Sequence, residues 1–126
     1  MKRGDILKGS VFVVHWKSSE TGKVAKNLKK EGWVVETESR YINRAFDRIR
    51  KSQPDAVVIY LNRSPKRGRE VGFTLKAIRL TQHLPVVFVN GRDKVRERTK
   101  ERVPEAIFSS SDELNKTLEK YSKEEK

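Results

Sequence analysis

Tyr60 ends the apolar run inside "PDAVVIYLNRSPKRG" (54–68), where a buried strand gives way abruptly to a polar, basic segment. In an open parallel sheet, ligands and reactive groups gather just beyond the carboxyl ends of the strands, so a phenol here stands where chemistry is done. Directly after it come Arg63, Lys66, Arg67 and Arg69, with no acid before Glu70. An uncompensated cluster of this kind attracts phosphates. The chain carries 29 Lys and Arg against 17 Asp and Glu, a net charge of +12, which extends the field to polyanions. A further candidate is "HWKSSETGK" (15–23), where Ser18, Ser19, Thr21 and Gly22 follow another apolar run. Hydroxyls and backbone N–H groups at such a place cradle phosphates. The same residues also make an ordinary helix N-terminus, with Ser18 or Ser19 as cap and Glu20 favourable in the first turn.

Other chemistries are excluded early. Without cysteine there are no disulfides, thiolate nucleophiles or cysteine-based zinc sites, and with His15 and His83 as the two histidines a histidine-rich metal site is not expected. No apolar run approaches the roughly 20 residues that cross a bilayer, and "MKRGDILKGS" lacks the apolar segment of a secretion signal. The expectation is a single cytoplasmic domain over residues 1–126, with its core at about 10–121, a short basic N-terminal segment and a charged C-terminal tail.

The elements that must position these residues follow from hydrophobic period. "VFVVHW" (11–16), "WVVETES" (33–39), "AVVIYLN" (56–62), "PVVFVNG" (85–91) and "AIFSSS" (106–111) read as five strands. Between them the spacing predicts helices: "KVAKNLKKEG" after a polar turn "KSSETG", stopped by Gly32; 42–53, with Ile42, Ala45, Phe46 and Ile49 inward; 69–83, with Val71, Leu75 and Ile78 inward; 92–103; and "DELNKTLEKY", with Leu114, Leu118 and Tyr121 inward. Five βα units with short connections require right-handed crossovers. The fold class is therefore α/β, a doubly wound five-stranded parallel sheet of order 2-1-3-4-5 with helices on both faces. All strand carboxyl ends then share one edge: His15 and Trp16, Ser39 and Arg40, Tyr60 to Asn62, Asn90 and Gly91, and Ser109 to Ser111.

Two helices raise questions of their own. In "RDKVRERTKERV" (92–103), Arg92, Arg96 and Lys100 form one basic stripe and Lys94, Arg98 and Arg102 another, flanking a seam of Val95, Thr99 and Val103. This reads as a solvated helix laced with weak i±3 ion pairs to Asp93, Glu97 and Glu101, or as a binding helix. The third helix carries a second apolar set, Phe73, Ala77 and Leu80, opposite its core face. A neighbouring helix or loop covers it, or it is a patch for self-association or a protein partner. Gly72 in the same helix is explained by a close helix approach.

The segments "PDAVVIYLNRSPKRGREV" and "LPVVFVNG" resemble the third strand with its following loop, and the fourth strand, of bacterial response-regulator receiver domains. Residues 10 to about 121 follow that family's element order and lengths. The resemblance implies a phosphoacceptor aspartate at the end of the third strand, an acidic pair after the first for magnesium, a hydroxyl after the fourth and a lysine after the fifth. Those positions fall here on Tyr60, on His15 and Trp16, on Asn90 and near Ser110. Magnesium requires hard oxygen ligands, which His15 and Trp16 do not supply. The chain is thus expected to be a degenerate pseudo-receiver whose Tyr60 fills the pocket, packed between His15 and Trp16 with its hydroxyl toward Asn90 or solvent.

The resulting expectation is a regulatory and signalling module, not an enzyme, without cofactor or metal. It acts independently of phosphorylation through a protein partner or as a homodimer. The alternative is electrostatic nucleic-acid binding through Arg63, Lys66, Arg67 and Arg69 with Arg92, Arg96 and Lys100. A third reading is a flavodoxin-like protein binding FMN or phosphate at "KSSETG".

Overall fold

In the computed structural model residues 8–122 are described. Five strands, β1 (Gly9–Val14), β2 (Trp33–Glu38), β3 (Ala56–Tyr60), β4 (Val86–Val89) and β5 (Ile107–Ser109), alternate with five helices, α1 (Ser18–Lys30), α2 (Ile42–Ser52), α3 (Pro65–Ala77), α4 (Asp93–Arg102) and α5 (Leu114–Ser122). Every strand pair is parallel and the order is β2-β1-β3-β4-β5, as the alternation of periods predicts. The register sets Val13 beside Val58, Val57 beside Val86 and Val89 beside Ser109. The central strands β3 and β4 are buried along their whole length, which is why they read as unbroken apolar runs.

Because successive strand side chains point to opposite faces, the core divides in two. Phe12, Val14, Val57, Ile59 and Phe88 face α2 and α3, meeting Ala45, Ile49, Val71 and Leu75. Val11, Val13, Val58, Tyr60 and Val87 face α1 and α5, meeting Leu28, Leu114 and Leu118.

Several boundaries differ from the sequence reading. "KSSETG" is not a turn: α1 begins at Ser18, and the Thr21 hydroxyl donates to the carbonyls of His15 and Lys17, each at 3.0 Å. The helix stops as expected, at Gly32, with φ of 104°. Helix α2 ends at Ser52 because Gln53, just before Pro54, takes a left-handed conformation (φ 47°). Proline disfavours the α region for its predecessor.

Helix α3 is shifted most. It starts at Pro65, whose missing N–H is harmless in a first turn, and ends at Ala77 instead of continuing to 83. Beyond it the chain turns back: the Thr81 hydroxyl donates to Leu75 O at 2.7 Å, satisfying a freed carbonyl of the last turn, and Lys76 Nζ donates to Leu84 O at 2.7 Å, tying the helix end to the returning chain. Gly72 lets α3 approach the sheet, not another helix: a Cβ there would lie 2.5 Å from Cζ of the fully buried Phe88.

Candidate functional site

His15 follows β1 directly, held by its N–H donating to Glu38 O at 3.2 Å. Its side chain is buried, and both ring nitrogens are engaged. The Lys17 N–H donates to Nδ1 at 3.3 Å, which leaves the proton on Nε2, and Nε2 faces Glu20 Oε1 at 3.1 Å. Burial lowers the His15 pKa, with Glu20 opposing that shift, so the ring is neutral at pH 7. Tyr60 stacks on this ring, centroids 4.6 Å apart and planes 21° from parallel.

Tyr60 is 5% exposed, and burial raises its pKa while a hydrogen bond with Ser111 pulls the other way. Asn90 Nδ2 donates to Ser111 Oγ at 3.2 Å. Asn90 and Gly91 both have positive φ, 66° and 94°, turning the chain sharply after β4. His15, Tyr60, Ser111 and Asn90 thus form one connected group at the carboxyl edge. With both imidazole nitrogens occupied and the rings face to face, His15 is not aimed at the Tyr60 hydroxyl. The contact is packing, not a proton relay.

Two residues expected in this group lie elsewhere. Trp16 packs on the opposite core face, and Arg67 stacks on it, guanidinium carbon 4.0 Å from the ring centroid. Tyr60 therefore does not sit between His15 and Trp16, since neighbouring residues at a strand end point to opposite sides of the sheet. Ser110 is also outside: its Oγ accepts from the Glu113 N–H at 3.2 Å, capping the turn before α5. Sequence reasoning placed Ser111 at the edge but missed its contacts with Tyr60 and Asn90, and it missed the Glu20 contact to His15. Glu20 was legible as a first-turn acid, but its reach to an imidazole five residues earlier depends on α1 starting at Ser18.

Glu38 is the buried carboxylate of the edge. Burial works to raise its pKa, but the backbone N–H groups of Tyr41 and Arg40, each 3.0 Å from Oε2, together with Arg44 and Arg48 hold it below the usual range. Its role is to cap the entry to α2. Among the described residues no group of three or more His, Asp or Glu side chains gathers as a metal site would require.

The basic cluster is helical more than loop. Arg63 precedes α3, while Lys66, Arg67 and Arg69 lie in its first two turns, of which the first contains no acid and the second carries Glu70. Arg63 and Lys66 are exposed, but the Arg67 head is occupied by Trp16 and by the Arg40 carbonyl. Arg92 stands outside α4 as its N-cap with extended backbone (φ −76°, ψ 165°), so the expected stripe starts at Arg96. Arg96 lies over Phe108, Lys100 is exposed, and the inward seam is Val95, Thr99 and Val103 as expected. Arg102 leaves its own helix to pair with Glu70 of α3 at 3.2 Å.

The second apolar set of α3 is not covered by a helix or loop. Phe73 is 36% and Leu80 60% exposed, and Ala77 is exposed too. They do not share one helical face, because Leu80 lies past the end of α3. The Arg102 guanidinium carbon, from α4, lies over Phe73, 3.7 Å from the ring centroid. No helix among the described residues is long and apolar enough to cross a membrane.

No protein-family model and no curated protein matches the sequence. Solved structures do match in shape. The chemotaxis protein CheY4 of Vibrio cholerae superposes with a TM-score of 0.74 at 18% identity, covering 89% of this chain and 97% of that one. The signal receiver domain of a modulated diguanylate cyclase from Desulfovibrio desulfuricans gives 0.72 at 18% identity, with 96% and 100% covered. A two-component response regulator of the LuxR family from Aurantimonas gives 0.74 at 14%, with 90% and 84% covered. At these identities the likeness speaks to shape, and with the 2-1-3-4-5 parallel order it establishes that this chain has the receiver, flavodoxin-like fold.

Proposed function

We propose that this chain is a receiver-like regulatory module that works through protein contacts and without phosphoryl transfer at its carboxyl edge. The observation that carries the reading is Tyr60, an almost fully buried phenol stacked on His15 at the end of β3, where the resemblance places a phosphoacceptor carboxylate. A phenol held by its ring and by Ser111 does not accept a phosphoryl group by the carboxylate route. Glu20, the acid that does approach, is engaged by His15 and by Lys17 Nζ at 3.6 Å. The neighbours in shape include a chemotaxis protein and a response regulator, which supports a signalling context for the same fold.

The test is direct. With magnesium and acetyl phosphate, the protein mass stays unchanged, and with beryllium fluoride the amide NMR spectrum does not shift. Stoichiometric phosphorylation, or a shift centred on residues 15–20 and 60–63, overturns the reading.

Arg63 and Lys66, exposed beside an acid-free first turn of α3, favour a second reading, electrostatic binding of nucleic acid. Each phosphate neutralised on duplex DNA contributes about −0.9 to the log–log salt slope. Replacing Arg63, Lys66 and Arg69 by glutamine then flattens the slope by about two to three units. Arg67 is left in place because its head is already committed. An unchanged slope, or no binding at low salt, removes this reading.

A further inference from the structure

Helices α1 and α5 do not close over their face of the sheet, and between them lies a cleft of about 370 Å³. Its floor is apolar, made by Val24 and Leu28 of α1 and Leu114 of α5. The lining residues of α1 run from Lys23 to Lys30, about 10 Å along a helix axis at 1.5 Å per residue, and Glu31 follows as its C-cap. At the end nearer the strand carboxyl termini stand two hydroxyls, Tyr60 and Ser111. At the other end Glu31 and Asn115 hold each other, Asn115 Nδ2 donating to Glu31 Oε1 at 3.3 Å, and Lys8 Nζ lies 3.8 Å from the same oxygen.

The charge of the cleft is one-sided. Glu31 is the acid among the lining residues, and Lys8 is shared between it, at 3.8 Å, and Glu119, at 2.5 Å. Lys23 and Lys30 line it too, and neither makes an ion pair among the described residues. An apolar floor with unmatched ammonium groups on the rim and hydroxyls at one end selects a particular ligand chemistry. An apolar body is desolvated on Val24, Leu28 and Leu114, and an acidic head meets a lysine and the hydroxyls. The volume lies in the range of pockets for small molecules. The Tyr60 phenol, kept protonated by burial, remains a donor across the neutral range.

We infer that the α1–α5 cleft is a binding site for a small organic anion, an aromatic or short aliphatic body carrying one carboxylate, sulfonate or phosphate. The inference goes beyond the regulatory reading and does not depend on it, since the cleft binds such a molecule whether or not the domain docks on a protein. It does bear on the carboxyl edge. Tyr60 is shared between the cleft and the His15 stack, so occupancy is felt at His15 and Asn90.

The probe is 8-anilinonaphthalene-1-sulfonate, with neutral N-phenyl-1-naphthylamine as the uncharged counterpart. The sulfonate dye binds the intact protein at one per chain without altering its near-ultraviolet circular dichroism. Amide shifts concentrate on residues 23–31 and 111–115, with smaller ones at 15 and 90. The neutral dye binds at least several-fold more weakly. Lys23→Gln with Lys30→Gln weakens the sulfonate dye by about five- to tenfold, as the loss of two exposed ion pairs would. Asn27→Trp, at an exposed position on the rim, blocks the cleft without touching the core. Thermal melts confirm that these surface variants fold. Equal affinity for the two dyes, binding unaffected by both the lysine pair and Asn27→Trp, shifts mapping elsewhere, or no binding at low salt each overturns the inference. None of these outcomes bears on phosphorylation, so the two readings fail separately.

Discussion

The two faces of the sheet are built from the same kinds of side chain, yet they close differently. On one face α2, α3 and α4 cover the strands, and α3 comes so near that a Cβ at Gly72 would meet Phe88 at 2.5 Å and one at Gly68 would meet Ile59 at 2.9 Å. On the other, α1 and the nine-residue α5 share the work and leave the cleft above Tyr60. Three helices tile five strands, and two do not. The buried rings of His15 and Tyr60, with the exposed Ser111 beside them, sit on the side with the gap, where a polar group can still meet solvent or a ligand at its rim.

The largest expected effect tests that difference with the same substitution on each face. Leu75→Ala, in the closed face, should cost about 3 kcal/mol, because the surrounding side chains cannot collapse into the void. Leu114→Ala, at the cleft, should cost about 2 kcal/mol or less, since one side of the residue already borders open space. Urea unfolding of the pair measures both, and equal losses would mean that the faces are packed alike.

Glycine substitutions sharpen the contrast. Gly72→Ala should destabilise by about 1–2 kcal/mol, as crowding against Phe88 outweighs the gain in helix propensity. Gly22→Ala, in α1 with nothing within 4 Å of its added Cβ, should stabilise by about 0.5–1 kcal/mol. A stabilising Gly72→Ala would show that α3 has room to move off the sheet.

The buried imidazole makes the cleft face sensitive to pH. Its folded pKa is lowered from 6.5, so between that folded value and 6.5 the unfolded chain binds more protons than the native one. Stability is therefore full above pH 6.5 and falls as the pH drops from there toward the folded pKa. His15→Gln should remove this segment of the slope. Below pH 4.5 a further loss should persist in the variant as Glu38, with its lowered pKa, takes up its proton. Chemical denaturation at half-unit steps checks both, and a variant with the parent's slope near pH 6 would clear His15 of any part in it.

The smallest effect belongs to the outer surface of the closed face. Arg102 over Phe73 should show a coupling of about 0.5–1 kcal/mol in a double-mutant cycle with alanine, as an exposed cation–π contact does. A coupling near zero would leave Phe73 as an uncovered apolar patch beside Leu80.

The sequence by itself determined the number of elements, their alternation and the strand order. Runs such as "AVVIY" and "VVFV" can be stable only with both faces covered, and short right-handed crossovers leave few ways to arrange five of them. It also placed Tyr60, Asn90 and His15 at one edge, since that follows from strand direction alone. The starts of α1 and α3 were decided by the tertiary structure. "SSETG" and "PKRG" have turn-like composition, and their helical state depends on Thr21 meeting the His15 carbonyl and on Gly68 fitting against Ile59. The same holds for which way a side chain faces after its strand has ended. Trp16 parted from Tyr60, Ser111 took the place expected for Ser110, and Phe73 met Arg102 from another helix, because contacts between elements distant in sequence depend on helix placement to within an ångström, which periodicity does not encode.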